Sequence, residues 1–143
     1  MSISGHILVV GANAAKIGDN YGQGAAYVFV ETNGVWVETQ KLVADDGAAY
    51  DNYGLAVAIQ GSTILVGSPL ASLNGHREKG AVYVYIMTSN GVWSQAQKLT
   101  SADHAGNFHF GFAVALDNGT SMAAGSVASH DPRREKGAIY VFT

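Results

Sequence analysis

Internal repetition governs what this chain can fold into. Gly24-Ala25-Ala26-Tyr27-Val28-Phe29 returns as Gly80-Ala81-Val82-Tyr83-Val84-Tyr85 and again as Gly137-Ala138-Ile139-Tyr140-Val141-Phe142. Asn33-Gly34-Val35-Trp36 returns as Asn90-Gly91-Val92-Trp93, and Gln40-Lys41-Leu42 as Gln97-Lys98-Leu99. Tyr53-Gly54-Leu55-Ala56-Val57-Ala58 returns as Phe110-Gly111-Phe112-Ala113-Val114-Ala115. The two tryptophans lie 57 residues apart, as do Lys41 and Lys98. The units read as approximately residues 1–53, 54–110 and 111–143.

Each unit carries four strand-like runs, complete in the second. They are Leu55–Gln60, Thr63–Gly67, Ala81–Ile86 and Val92–Leu99. Val, Ile, Tyr, Phe and Trp fit pleated, half-buried surfaces. The third run is apolar on both faces, which predicts a strand covered on both sides. The fourth, with Glu38, Gln40, Ser94 and Gln95, is wetter. Asn33-Gly34 and Asn90-Gly91 separate strands three and four, and predict type I′ hairpin turns with positive φ at both residues. Gln60-Gly61 and Asn118-Gly119 make short turns between strands one and two. The 18 glycines against 2 prolines agree with many tight turns. No stretch keeps a helical period. The fold class is therefore all-β: propeller blades of four antiparallel strands, each burying its faces against the next. A β-sandwich is the rival, but it does not require motifs to recur in register.

At these residues the chain resembles the FG-GAP repeat family. Tyr53-Gly54 and Phe110-Gly111 are similar to its Phe-Gly pair. Leu65-Val66-Gly67-Ser68-Pro69 is similar to its Gly-Ala-Pro segment, and Val9-Val10-Gly11-Ala12-Asn13 is a close variant. Ala123-Ala124-Gly125-Ser126 departs further and lacks the proline. The resemblance implies the kind of propeller found in integrin α-subunits and many bacterial surface proteins. It also implies an extracellular or cell-surface setting and adhesion or ligand binding, with no catalysed reaction.

About two and a half repeats cannot close a ring in one chain. Met1–Ser4 matches only the end of strand one, and the sequence stops after the third strand of the last unit. Homo-oligomerisation, with a dimer favoured, would close the ring, and strand exchange between copies would cover the gaps. Trp36 and Trp93 are expected at equivalent, buried positions.

Hydrophobic residues make up 48% of the chain and charged residues 13%, the balance of a folded domain. Formal net charge is −3 with no basic stripe, which argues against a nucleic-acid partner. There is no cysteine and no apolar run long enough to span a bilayer, so neither thiolate sites nor helical membrane insertion is expected. The start of the sequence does not read as a signal peptide.

No nucleophile–base pair, zinc-protease helix or phosphate loop is present, so no catalytic residue and no cofactor is assigned. Some FG-GAP propellers hold calcium between strands one and two. Gln60-Gly61-Ser62 and Asp117-Asn118-Gly119-Thr120 lack the alternating oxygen ligands for that, and no metal site is assigned. His6, His76, His104, His109 and His130 read as loop or surface residues. The charge clusters His76-Arg77-Glu78-Lys79 and Arg133-Arg134-Glu135-Lys136 read as solvated loops.

Loop length supplies the functional clue. Connections two–three and four–one are long, and alternate connections of an antiparallel sheet share one side. The long-loop side is the candidate face for a protein or glycan ligand. Its candidate ligand-binding residues are Asp45, Asp46, Asp51, His76, Arg77, Arg133 and Arg134. Tyr53, Gly54, Phe110, Gly111, Trp36, Trp93, Gly80 and Gly137 are structural repeat positions. The alternative reading is a self-assembling structural fragment with no ligand of its own.

Overall fold

A computed structural model describes residues 1–73, 78–101, 109–117, 121–126 and 137–142. Within them the chain forms three antiparallel sheets. The first holds β1 (Ser2–Ser4), β2 (Ile7–Ala12), β3 (Ala25–Thr32) and β4 (Val35–Leu42), paired in that order. The second holds β5 (Ala56–Gln60), β6 (Thr63–Ser68), β7 (Ala81–Met87) and β8 (Trp93–Leu99). The third holds β9 (Ala113–Asp117), β10 (Ser121–Ser126) and β11 (Ala138–Phe142), with β10 in the middle. The short Met1–Ser4 stub is a strand in its own right. Its hydroxyls lie against the second sheet, where Ser2 Oγ accepts from the Ile59 N–H at 3.1 Å and Ser4 Oγ from the Gly61 N–H at 3.2 Å.

The sheets stack face to face, and strand alternation decides which residues meet. On one side of the first sheet Val9, Ala26, Val28 and Leu42 are buried against Ile59, Ile64, Val66, Tyr83, Tyr85 and Trp93 of the second. The opposite side of the second sheet presents Ala58, Leu65, Val82, Val84 and Leu99. These pack on Val114, Leu116, Tyr140 and Phe142 of the third. The middle sheet is thus covered on both sides. All of β6 is buried, as is β7 through Tyr85.

An extra residue in each outer strand makes its two halves face opposite ways. Val28 pairs with Gln40 and Phe29 with Glu38, so Thr39 bulges between them. Val84 pairs with Gln97 and Tyr85 with Gln95, which places the bulge at Ala96. Without it, Trp93 and Gln97 would share a face. With it, Trp93 turns toward the first sheet while Gln97 and Leu99 turn toward the third.

The repeated glycines let backbones meet between sheets. A Cβ on Gly11 would lie 1.8 Å from the Gly54 carbonyl oxygen, and one on Gly67 would lie 2.0 Å from that of Gly111. Within its own sheet each seam glycine extends the ladder, Gly54 N–H donating to Gly67 O at 2.9 Å and Gly111 N–H to Gly125 O at 3.1 Å. Isolated parallel bridges join Gly24 to Tyr53 and Gly80 to Phe110. The aromatic-glycine pair of each repeat is therefore a seam between consecutive sheets, with Tyr53 and Phe110 fully buried.

Two expectations need correcting. Trp36 and Trp93 are equivalent in register, opposite Glu31 and Met87, but only Trp93 is buried, at 4% exposure against 37% for Trp36. Trp93 has the first sheet in front of it. Nothing within the described residues stands in front of Trp36. The hairpins differ as well. Asn33 and Gly34 both have positive φ, as a type I′ turn requires. The second hairpin is one residue longer, and there only Gly91 is left-handed; its N–H donates to Thr88 O at 3.0 Å.

Candidate functional site

The loops 13–24 and 43–55, with residues 69–73 and 78–80 of the next connection, lie on one side of the sheets and are tied together by main-chain hydrogen bonds. Tyr50 N–H donates to Tyr21 O at 2.8 Å, Asn52 N–H to Gly22 O at 3.1 Å and Tyr53 N–H to Gln23 O at 2.8 Å. Leu70 N–H donates to Asp51 O at 3.3 Å. Side chains reinforce the seam. Buried Gln23 donates through Nε2 to Ala44 O at 3.1 Å and accepts from Asn20 Nδ2 at 2.8 Å. The pattern recurs at the next junction, where Phe110 N–H donates to Lys79 O at 3.0 Å. Asn52 and His109, each just before the aromatic-glycine pair, both take positive φ.

A cleft of about 440 Å³ opens between the second and third of these loops, lined by Ala48, Ala49, Tyr50, Asp51, Leu70, Ser72 and Glu78. Tyr50 is 68% exposed and Tyr21 61%. Tyr50 holds φ of 69°, an unusual conformation for a bulky residue. Lys16 places its ammonium 4.4 Å from the Tyr21 ring centroid, within cation–π range.

The three candidate aspartates have different surroundings. Asp45 is an exposed loop residue. Asp46 accepts from the Tyr83 hydroxyl at 2.9 Å and pairs with Lys98, whose ammonium also lies over the Tyr83 ring. Partial burial works against its charge, but the bonds from Lys98 and Tyr83 prevail and hold its carboxyl below the ordinary value. Asp51 is buried, and burial raises its pKa despite the Ala48 N–H it accepts at 2.8 Å. Its carbonyl accepts from Ser68 Oγ at 3.0 Å. Asp51 thus braces the turn and anchors β6.

Among the described residues no three His, Cys, Asp or Glu side chains gather as a metal-holding group. His76, Arg77, Arg133 and Arg134 lie outside the described residues, as do His104, His130 and the Asn118-Gly119 turn. Lys79, expected in a solvated charge cluster, is buried. Glu78 is exposed, with Oε2 3.7 Å from His109 Nε2. The two exposed tyrosines escaped sequence reasoning because neither sits in a repeated motif. Only a loop aromatic among small residues marks Tyr50.

Stacked antiparallel sheets joined at aromatic-glycine seams define a repeat β protein. A profile described as FG-GAP repeat matches residues 36–85 and 93–142. The chain belongs to the FG-GAP repeat family. Each match runs from the outer strand of one sheet through the third strand of the next. No curated protein matches the chain. No helix among the described residues is long and apolar enough to cross a membrane.

Proposed function

We propose that this chain is a non-catalytic propeller scaffold working outside the cell or at its surface. In this reading it binds a protein or glycan ligand on its long-loop side. The observation that carries it is the main-chain tying of the described parts of three long loops around a cleft that exposed Tyr50 lines. Exposed tyrosines offer flat apolar area at low entropic cost, a common feature of binding loops. Exposed Glu78 adds negative charge to the cleft lining. Protein and glycan arrays test the reading. Saturable binding should be lost on Tyr50→Gly, a change that suits the positive φ. No saturable binding across broad panels overturns it.

A second reading, self-assembly without a ligand, is favoured by the ends of the stack. Ile3, Leu8, Val10, Tyr27, Phe29 and Trp36 share the open side of the first sheet. They correspond by repeat to the residues that the second sheet buries. At the other end Ile139 and Val141 are exposed, although their counterparts Val82 and Val84 are buried. The two open sides correspond to surfaces that pack together inside the chain, so a second copy would stack head to tail, giving a dimer. Light scattering at micromolar concentration tests this: a stable folded monomer overturns it.

A further inference from the structure

We propose that a second cleft, between the outer strands β4 and β8, is a sugar site that takes a neutral pyranose at the end of a glycan. It shares no lining residue with the cleft at Tyr50 and does not depend on that reading.

The cleft has a volume of about 260 Å³, below the roughly 300–1,000 Å³ of sites for drug-sized ligands, so it suits a single ring. Gln40 of β4, Asp45 just beyond that strand, Tyr85 of β7, and Trp93 and Gln95 of β8 line it. Tyr85 pairs with Gln95 and Met87 with Trp93. Strand alternation therefore sets Tyr85, Trp93 and Gln95 on the side of the second sheet that faces the first. Gln40 locks the two walls together. Its Nε2 donates to Trp93 O and its Oε1 accepts from Trp93 N–H, both at 2.8 Å. The site is thus formed before a ligand arrives, and little ordering is left to oppose binding.

The chemistry of the lining selects the ligand. The repeat holds Phe29 in the first unit and Phe142 in the third where the second has Tyr85, so packing alone does not call for that hydroxyl. The hydroxyl accepts from Tyr53 at 2.8 Å. Its own proton has only distant acceptors, Val43 O at 3.3 Å and Gln95 Oε1 at 3.5 Å. Both lie beyond the usual O–H···O range, so a ligand oxygen would be the better acceptor. The exposed Gln95 amide offers a donor and an acceptor. Burial above all, and the charge of Asp45 with it, disfavours ionisation of Tyr85, which puts the Asp45 carboxylate within electrostatic reach of the same hydroxyl. A carboxylate takes hydroxyl protons and repels anions. Lys41 does not offset it, because its ammonium lies 5.7 Å from the Tyr27 ring centroid on the other side of the first sheet. Donors and acceptors beside the apolar body of Trp93 match a ring with hydroxyls at its edge and C–H groups on its faces.

The test is saturation-transfer NMR of the intact chain with the methyl glycosides of glucose, galactose, mannose, fucose and N-acetylglucosamine. Saturable transfer to at least one is expected, with a dissociation constant on the order of millimolar. Gln95→Ala and Asp45→Ala should each weaken it about tenfold, the scale for losing one or two hydrogen bonds. Both side chains are exposed, so unchanged denaturation midpoints should show that the variants remain folded. Tyr50→Gly should leave this binding as it is, which keeps failure here distinct from failure of the loop-side reading. Absence of transfer to every glycoside overturns the proposal. So does binding that either rim variant leaves unchanged, or binding lost with Tyr50→Gly, because the sugar would then be seated elsewhere.

Discussion

The hydroxyl of Tyr53 donates to the hydroxyl of Tyr85 at 2.8 Å, deep between the first two sheets, and Tyr85 passes the chain on to Val43 O at 3.3 Å. Tyr53 belongs to the aromatic-glycine seam and Tyr85 to the repeated strand, so two motifs far apart in sequence close on one polar contact. The rings of Tyr53 and Tyr83 meet edge to face with centroids 5.2 Å apart.

Alkaline pH should unfold the chain through these rings. Burial raises the pKa of Tyr53, Tyr83 and Tyr85, for Tyr53 and Tyr83 far above the ordinary 10.0. A group whose pKa is raised on folding lends stability that is complete below its unfolded value and lost above it. Stability should therefore hold below pH 10 and fall beyond it, with tyrosinate absorbance from the buried rings rising together with loss of near-ultraviolet dichroism. Buried tyrosines that ionise near pH 10 in a folded chain would contradict this. Tyr53→Phe should cost about 1–2 kcal/mol in urea denaturation.

Gly67→Ala should be far worse than its size implies. The added methyl would stand 2.0 Å from Gly111 O, and neither backbone can retreat without parting the second and third sheets. A loss of about 3 kcal/mol is expected. Gly61→Ala meets no atom within 4 Å and only the strain of φ 56°, so about 1 kcal/mol is expected. Equal costs for the two changes would undo the seam argument.

The two tryptophans should separate cleanly. Trp93→Ala should cost about 3–5 kcal/mol and Trp36→Ala under about 1 kcal/mol in the isolated monomer. Acrylamide should quench Trp36 and spare Trp93. Protection of Trp36 that grows with protein concentration would mark its side of the sheet as an interface between copies.

Asp51→Asn tests the buried carboxylate. Asparagine keeps an oxygen for the Ala48 N–H and sheds the buried charge. Because burial raises the Asp51 pKa, the native residue loses stability as pH climbs through the carboxylate range. The variant should match wild type at low pH and exceed it at neutral pH. Asp51→Ala, which also removes the acceptor, should be less stable than wild type by about 1–2 kcal/mol. Thermal melts from pH 3 to 7 follow both.

Repetition made the strands and their order legible. A buried strand such as Ala81–Met87 declares itself by being apolar on both faces, and an edge hairpin by Asn33-Gly34. What repetition hides is the difference between copies. Trp36 and Trp93 read alike because sequence similarity carries no information about whether a neighbour is present. The site was less legible. Asp51 and Asp45 look interchangeable in the sequence, yet one closes a turn inside the protein and the other faces solvent. That distinction depends on Ala48, which carries no motif, and on Ser68, whose motif does not announce which aspartate it will bind. Tyr50 gains its place from left-handed backbone geometry, which tyrosine does not encode.

The single added residue at Thr39 and at Ala96 has an evolutionary consequence. It acts like a frameshift in the pleat: upstream of it the outer strand addresses the preceding neighbour, downstream the following one. A module with unlike sides has a direction, so tandem duplication yields copies already oriented for stacking, with no new interface to invent. Length changes in the hairpin before the bulge are absorbed, as the longer turn at 88–92 demonstrates. Loss of the bulge residue itself would turn tryptophan and glutamine onto the same side and end the series there.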